Sequence, residues 1–165
     1  MRRILPMLFA ALLVPAIAGA APAGQSFTAS LSGGEEVPAN DSIAAGQTIF
    51  TVSKDGDSMD YRLIVANIEN VTQSHIHLAP AGANGGVVVW LYPSAPPAQL
   101  IPGRSSGTLA TGTITEANLV GALAGQPLSV LLEHMRNGNA YVNVHTTQFP
   151  GGEIRGQIAA HGPQA

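Results

Sequence analysis

With five histidines and no cysteine in the chain, thiol chemistry is excluded and imidazole is the first group to consider. In Gln73-Ser74-His75-Ile76-His77-Leu78, two histidines stand two residues apart. On a strand that spacing sends both rings to one face and Ile76 and Leu78 to the other. The same parity recurs in Tyr141-Val142-Asn143-Val144-His145-Thr146, where Tyr141, Asn143 and His145 oppose the two valines. It recurs again in Glu153-Ile154-Arg155-Gly156-Gln157-Ile158, with Glu153, Arg155 and Gln157 opposite the isoleucines. Three segments thus carry a polar stripe.

If the three are neighbours in one sheet, His75, His77 and His145 meet, with Asn143, Glu153 and Arg155 beside them. One reading is a hydrogen-bonded polar network in which ring nitrogens satisfy one another or backbone groups. The alternative is a site for zinc or copper, since three converging imidazoles suit either ion and leave a fourth position open. A His-x-His pair needs its third ligand in space. Glu153 and Arg155, two apart on one strand face, are expected to form an ion pair across the sheet surface. His134, in an expected helix, and His161, in the tail, read as surface residues.

Other chemistry finds no support. Gly82-Ala83-Asn84-Gly85-Gly86 lacks the lysine and following helix of a phosphate loop, and there is no Gly-x-Ser-x-Gly elbow. No enzymatic activity and no resident cofactor beyond a copper or zinc ion are expected.

The elements that must position these residues read as strands. Period-two alternation, punctuated by Gly, Pro, Asn and Asp, recurs from Phe27 onwards. Strands are expected at 27–31, 46–53, 59–68, 71–78, 87–91, 106–114, 140–147 and 153–159. Lys54-Asp55-Gly56-Asp57 is a hairpin turn, 79–86 and 93–102 are loops, and Trp90 is expected in the core. Thr115 caps a short helix, and Leu128, Leu131, Leu132 and Met135 give a second one over 127–136, between Pro127 and Gly138. Eight strands with one or two short helices make an all-β, antiparallel two-sheet sandwich, Greek-key, immunoglobulin-like or barrel-like.

The N-terminus reads as an export signal. Arg2 and Arg3 precede an apolar run from Ile4 to Ala18 and the small residues Gly19, Ala20, Ala21, Pro22 and Ala23. Residues 1–20 are expected to be a cleaved signal peptide, Ala18-Gly19-Ala20 being favoured over Ala21-Pro22-Ala23 as the recognition triplet. The run is shorter than the roughly 20 residues a membrane span needs, so no span is expected after cleavage. The product is a periplasmic or secreted protein of one domain, residues 21–165, with its core at about 26–159. Five Lys and Arg remain against ten Asp and Glu, leaving −5 and excluding nucleic acid as a partner.

Four segments together resemble the CHRD domain, named from the signalling antagonist chordin and common in bacterial exported proteins. They are Leu31-Ser32-Gly33-Gly34-Glu35-Glu36-Val37-Pro38, the run from Ser74 to Gly85, the run from Tyr141 to Thr146, and the run from Pro150 to Ile158. The resemblance implies a β-sandwich-like domain outside the cytoplasm and no established activity. The expected role is a non-enzymatic binding or structural module of the periplasm or envelope, its partner an extracytoplasmic protein or envelope component; the alternative is metal binding through His75, His77 and His145.

Overall fold

A computed structural model describes residues 24–161, so the expected signal peptide lies outside the described residues. Eight antiparallel strands form one sheet: β1 (Ser26–Ser32), β2 (Ala45–Val52), β3 (Met59–Leu78), β4 (Gly86–Tyr92), β5 (Ile101–Ile114), β6 (Tyr141–Thr146), β7 (Ile154–Gln157) and β8 (Ala159–His161). Their order is β2-β1-β7-β6-β3-β4, with β5 on β3 and β8 on β1. Because β2 also pairs with β3, the path returns to its start and the sheet closes like a barrel. This is the all-β antiparallel architecture expected, in its barrel-like form.

One strand, β3, holds the two ends together. Its first half pairs with β2 and β5, and its second half with β4 and β6. The sequence pattern suggested two strands separated near residues 69–70; the chain instead passes through without a turn. Asn67 and Asn70 take left-handed φ of 56° and 55°, which asparagine tolerates better than most residues. The pairing with β5 shifts register at both places. Two bulges therefore bend one 20-residue strand where two shorter ones were expected. The bend lets its first half line the core with Leu63 and Val65 while its second half presents His75 and His77.

Two other boundaries moved. β5 begins at Ile101, inside the expected loop, because a largely exposed edge strand carries little apolar alternation. The last expected strand is two, β7 and β8, and the second of these places His161 opposite Ser26. His161 is exposed, as expected, but it is held in the sheet rather than in a free tail.

The core contains Phe27, Phe50, Leu63, Ile76, Val142 and Ile154 from the strands. The one α-helix among the described residues, α1 (Leu128–Arg136), adds Leu128, Leu131, Leu132 and Met135, the four residues its spacing singled out. The expected helix after Thr115 is a single 3-10 turn at Glu116–Asn118, closed by reciprocal Thr115 and Asn118 bonds, followed by another at Gly121–Leu123. Among the described residues no helix is long and apolar enough to cross a membrane.

Candidate metal centre

Strands β3, β6 and β7 are consecutive neighbours, so their polar stripes do meet. Register places His75 opposite Asn143, and Asn143 opposite Arg155. One row along, His77 faces Tyr141 and Tyr141 faces Gln157; in the other direction Gln73 faces His145. His145 is thus the diagonal neighbour of His75, within reach of a ring-sized side chain. The opposite faces of β3 and β6 deliver Ile76, Val142 and Val144 to the core. This polar face is not open to water either: His75, His77 and His145 are 3%, 8% and 7% exposed.

The three rings converge. Their centroids lie 5.1 Å (His75–His145), 5.5 Å (His75–His77) and 6.3 Å (His77–His145) apart, and each ring offers one ligand nitrogen within 4.8 Å of the others. Nitrogens so spaced share a point about 2.8 Å from each, against metal–nitrogen bonds of 2.0–2.1 Å, so side-chain shifts of under about 1 Å close the site.

Backbone carbonyls set the tautomers. His77 Nδ1 donates to the Gly85 carbonyl at 2.9 Å, and His145 Nδ1 donates to the Pro150 carbonyl at 3.0 Å. A carbonyl only accepts, so each of these rings keeps its proton on Nδ1 and turns an Nε2 lone pair inward. His75 Nδ1, 3.2 Å from His145 Nε2, must then be the donor of that bond. Orientation of a ligand histidine by a carbonyl on its other nitrogen is the usual outer support of metal sites.

The electrostatics keep all three rings neutral. Burial pushes His75 down from 6.5 to about 3, with the neighbouring His145 and His77 adding to the effect. Burial also lowers His77, against the Gly85 hydrogen bond and the Asn143 side chain, and lowers His145, against the Pro150 hydrogen bond. Neutral imidazole is the form that binds metal, and an ion enters at the cost of opening the His75–His145 hydrogen bond, which occupies His145 Nε2. Three buried polar atoms of the cluster find no hydrogen-bond partner: His75 Nε2, His77 Nε2 and Asn143 Oδ1. Buried orphans are uncommon in folded proteins, and an ion held by the histidines would give the two imidazole nitrogens a partner. The residues fit a divalent or monovalent transition ion held by nitrogen.

Around the rings stand aromatic and cationic groups. Tyr141 stacks on His77 with centroids 4.9 Å apart and planes 6° from parallel, and the Arg155 guanidinium lies 3.4 Å above the Tyr141 ring. Arg155 is 2% exposed and donates to Asn84 Oδ1 and the Ala83 and Pro80 carbonyls. It therefore pins the 79–85 loop that supplies the Gly85 carbonyl. Trp90 is half-buried, on the face opposite Leu91, with its edge-on ring 4.4 Å from His75. The expectation of a core tryptophan fails: β4 gives Val88, Val89 and Leu91 to the core, while Trp90 turns to the histidine face.

The expected Glu153–Arg155 ion pair does not form. Glu153 sits one residue before β7 and accepts from Ser42 Oγ and Thr146 Oγ1, both at 2.6 Å. Arg155 turns the other way, towards the 79–85 loop, and the only salt bridge among the described residues joins Arg104 to Glu69. A second buried carboxyl, Glu36, was not anticipated. Burial raises it from 4.5 to about 7, with Arg155 and the Val37 backbone pulling it down. It lies against Gly152, where a Cβ would collide with its carboxyl group. Its neighbours come from the segments 33–38 and 150–152, whose glycines were legible as loops but not as a carboxyl pocket. His134, on α1, is half-buried and away from this cluster.

A family sequence description, the CHRD domain, matches residues 27–158. No curated protein and no solved structure matches the chain.

Proposed function

The chain belongs to the CHRD domain family, and from that premise we propose that it is a non-enzymatic, metal-binding module of the space outside the cytoplasm. His75, His77 and His145 are its ligands and copper or zinc its ion. The observation that carries the reading is the convergence of three neutral, buried imidazoles whose ligand atoms lie within 4.8 Å of one another. Two of them are oriented by carbonyls from separate loops. Export is supported by the Arg2-Arg3 and apolar N-terminal pattern. The enclosure of the ligands, each under a tenth exposed, favours holding an ion over turning over a substrate.

A second reading rests on the 3.2 Å His75–His145 hydrogen bond: a structural polar network that packs one sheet face while the domain binds an envelope partner elsewhere. Metal content separates the two. Elemental analysis of the untagged protein from its export compartment should give close to one copper or zinc per chain, lost in His145→Ala. Metal-free protein that also fails to take up either ion in vitro leaves the network reading standing.

A further inference from the structure

Every proposed ligand is neutral, so an ion in this site keeps its whole charge. The nearest fixed charge is Arg155, whose guanidinium lies on Tyr141, which in turn lies on His77. Those two contacts put the cation within about 8 Å of the His77 ring, close enough for strong coupling in a buried setting. No carboxylate bonds to it directly among the described residues, and its hydrogen bonds go to two carbonyls and an amide oxygen. Of the two buried carboxyls nearby, Glu153 is bonded by two hydroxyls rather than by Arg155, and Glu36, which burial raises to about 7 against the pull of Arg155, offsets the guanidinium least below that pH, where the titrations belong.

Burying an ion costs free energy in proportion to the square of its charge, and its repulsion from a fixed cation rises linearly with that charge. Both effects penalise a divalent ion more than a monovalent one. Copper(I) is the monovalent transition ion that imidazole binds, and it is content with three ligands, whereas zinc(II) takes four. Resting on the metal-site reading above, we propose that the buried Arg155 is the specificity-determining residue of this centre and biases it towards copper(I) over zinc(II) and other divalent ions.

Two variants separate charge from scaffolding. Arg155→Met removes the cation and its loop contacts together. Asn84→Asp leaves the guanidinium in place and gives it a carboxylate at the atom that already accepts its hydrogen bond; it also removes the 2.8 Å bond from Asn84 Nδ2 to the Val37 carbonyl, a loop contact whose loss acts on both ions alike. Apo protein, both variants and His145→Ala are titrated anaerobically with copper(I), against a chromophoric copper(I) chelator, and with zinc(II), against a zinc chelator. Loss of scaffolding weakens both ions alike and cancels in the ratio of affinities. The ratio of zinc(II) to copper(I) affinity should rise about tenfold in both variants, a single charge one ring beyond His77 and so about 8–11 Å from the ion being worth that much at intermediate dielectric. An unchanged ratio in Asn84→Asp, with both ions still bound through His145, overturns the role of Arg155 and leaves the site intact. If neither ion binds the parent protein in a His145-dependent way, the site itself is wrong and this inference falls with it.

Discussion

Lowering the pH from 7.5 to 5 sets two buried groups against each other, and replacing one of them exposes the other. His75 titrates near 6.5 when unfolded and at about 3 when folded. At pH 7.5 both states hold it neutral, so it contributes nothing. As the pH falls below 6.5 the unfolded chain binds a proton that the folded chain refuses, and stability declines; at pH 5 the loss is about 2 kcal/mol from 1.36 kcal/mol per unit. His77 and His145, also lowered by burial, act in the same direction. Glu36 does the reverse. Its folded carboxyl titrates at about 7 and its unfolded one near 4.5, so the unfolded chain ionises first as pH rises, and stability is lost between those values. Descending from 7.5 to 5 returns about 2 kcal/mol.

Metal-free parent protein should therefore show a muted acid response, and Glu36→Gln a steep one, more destabilised on acidification than the parent by about 2 kcal/mol. Urea unfolding at both pH values reads this as a difference of about 1 M or more in midpoint, m being unchanged. If parent and Glu36→Gln lose the same stability between pH 7.5 and 5, Glu36 is not a buried, perturbed carboxyl and the electrostatic account of this face is wrong.

Three further outcomes follow from the same contacts. Gly85→Ala puts a Cβ into the Leu78 carbonyl, whereas Gly86→Ala meets open space; the first should cost about 1–3 kcal/mol in thermal unfolding and weaken metal uptake, the second neither. Glu153→Ala leaves the Ser42 and Thr146 hydroxyls without their charged acceptor and should cost about 3 kcal/mol, measured by urea unfolding. Trp90 is the chain's only tryptophan and stands edge-on to His75; copper should quench its fluorescence in step with binding, zinc should not, and Trp90→Phe should abolish the signal while leaving copper stoichiometry unchanged.

Much of this site was legible from alternation alone. His75, His77, Tyr141, Asn143, His145 and Arg155 were assigned to polar stripes because side chains on a strand obey a period of two, and pairing of β3, β6 and β7 brought the stripes together. What lay beyond reach was set by long-range register and by backbone atoms. Nothing in the letters at 79–85 or 150–152 says that Gly85 and Pro150 will offer their carbonyls to two histidines. Glu153 and Arg155 have the right parity for an ion pair, yet Glu153 lies just outside the strand, where parity no longer applies and the Ser42 and Thr146 hydroxyls compete for it. The strand break expected near residues 69–70 does not occur: Asn67 and Asn70 take left-handed φ, which ends many strands but here only bends one. Trp90 was misjudged because an aromatic's size argues for burial, while its place on the strand, opposite Leu91, decides its face.

The central claim is that three imidazoles hold one ion. X-ray absorption at the metal edge of copper(I)-loaded protein addresses it most directly, read beside the His75→Ala and His145→Ala variants. The account predicts a first shell of three nitrogens at about 2.0 Å, with the outer-ring scattering of imidazole, and a lower nitrogen count in either variant. A shell dominated by oxygen or by methionine sulfur, or one identical in parent and variants, would place the ion elsewhere and contradict the claim.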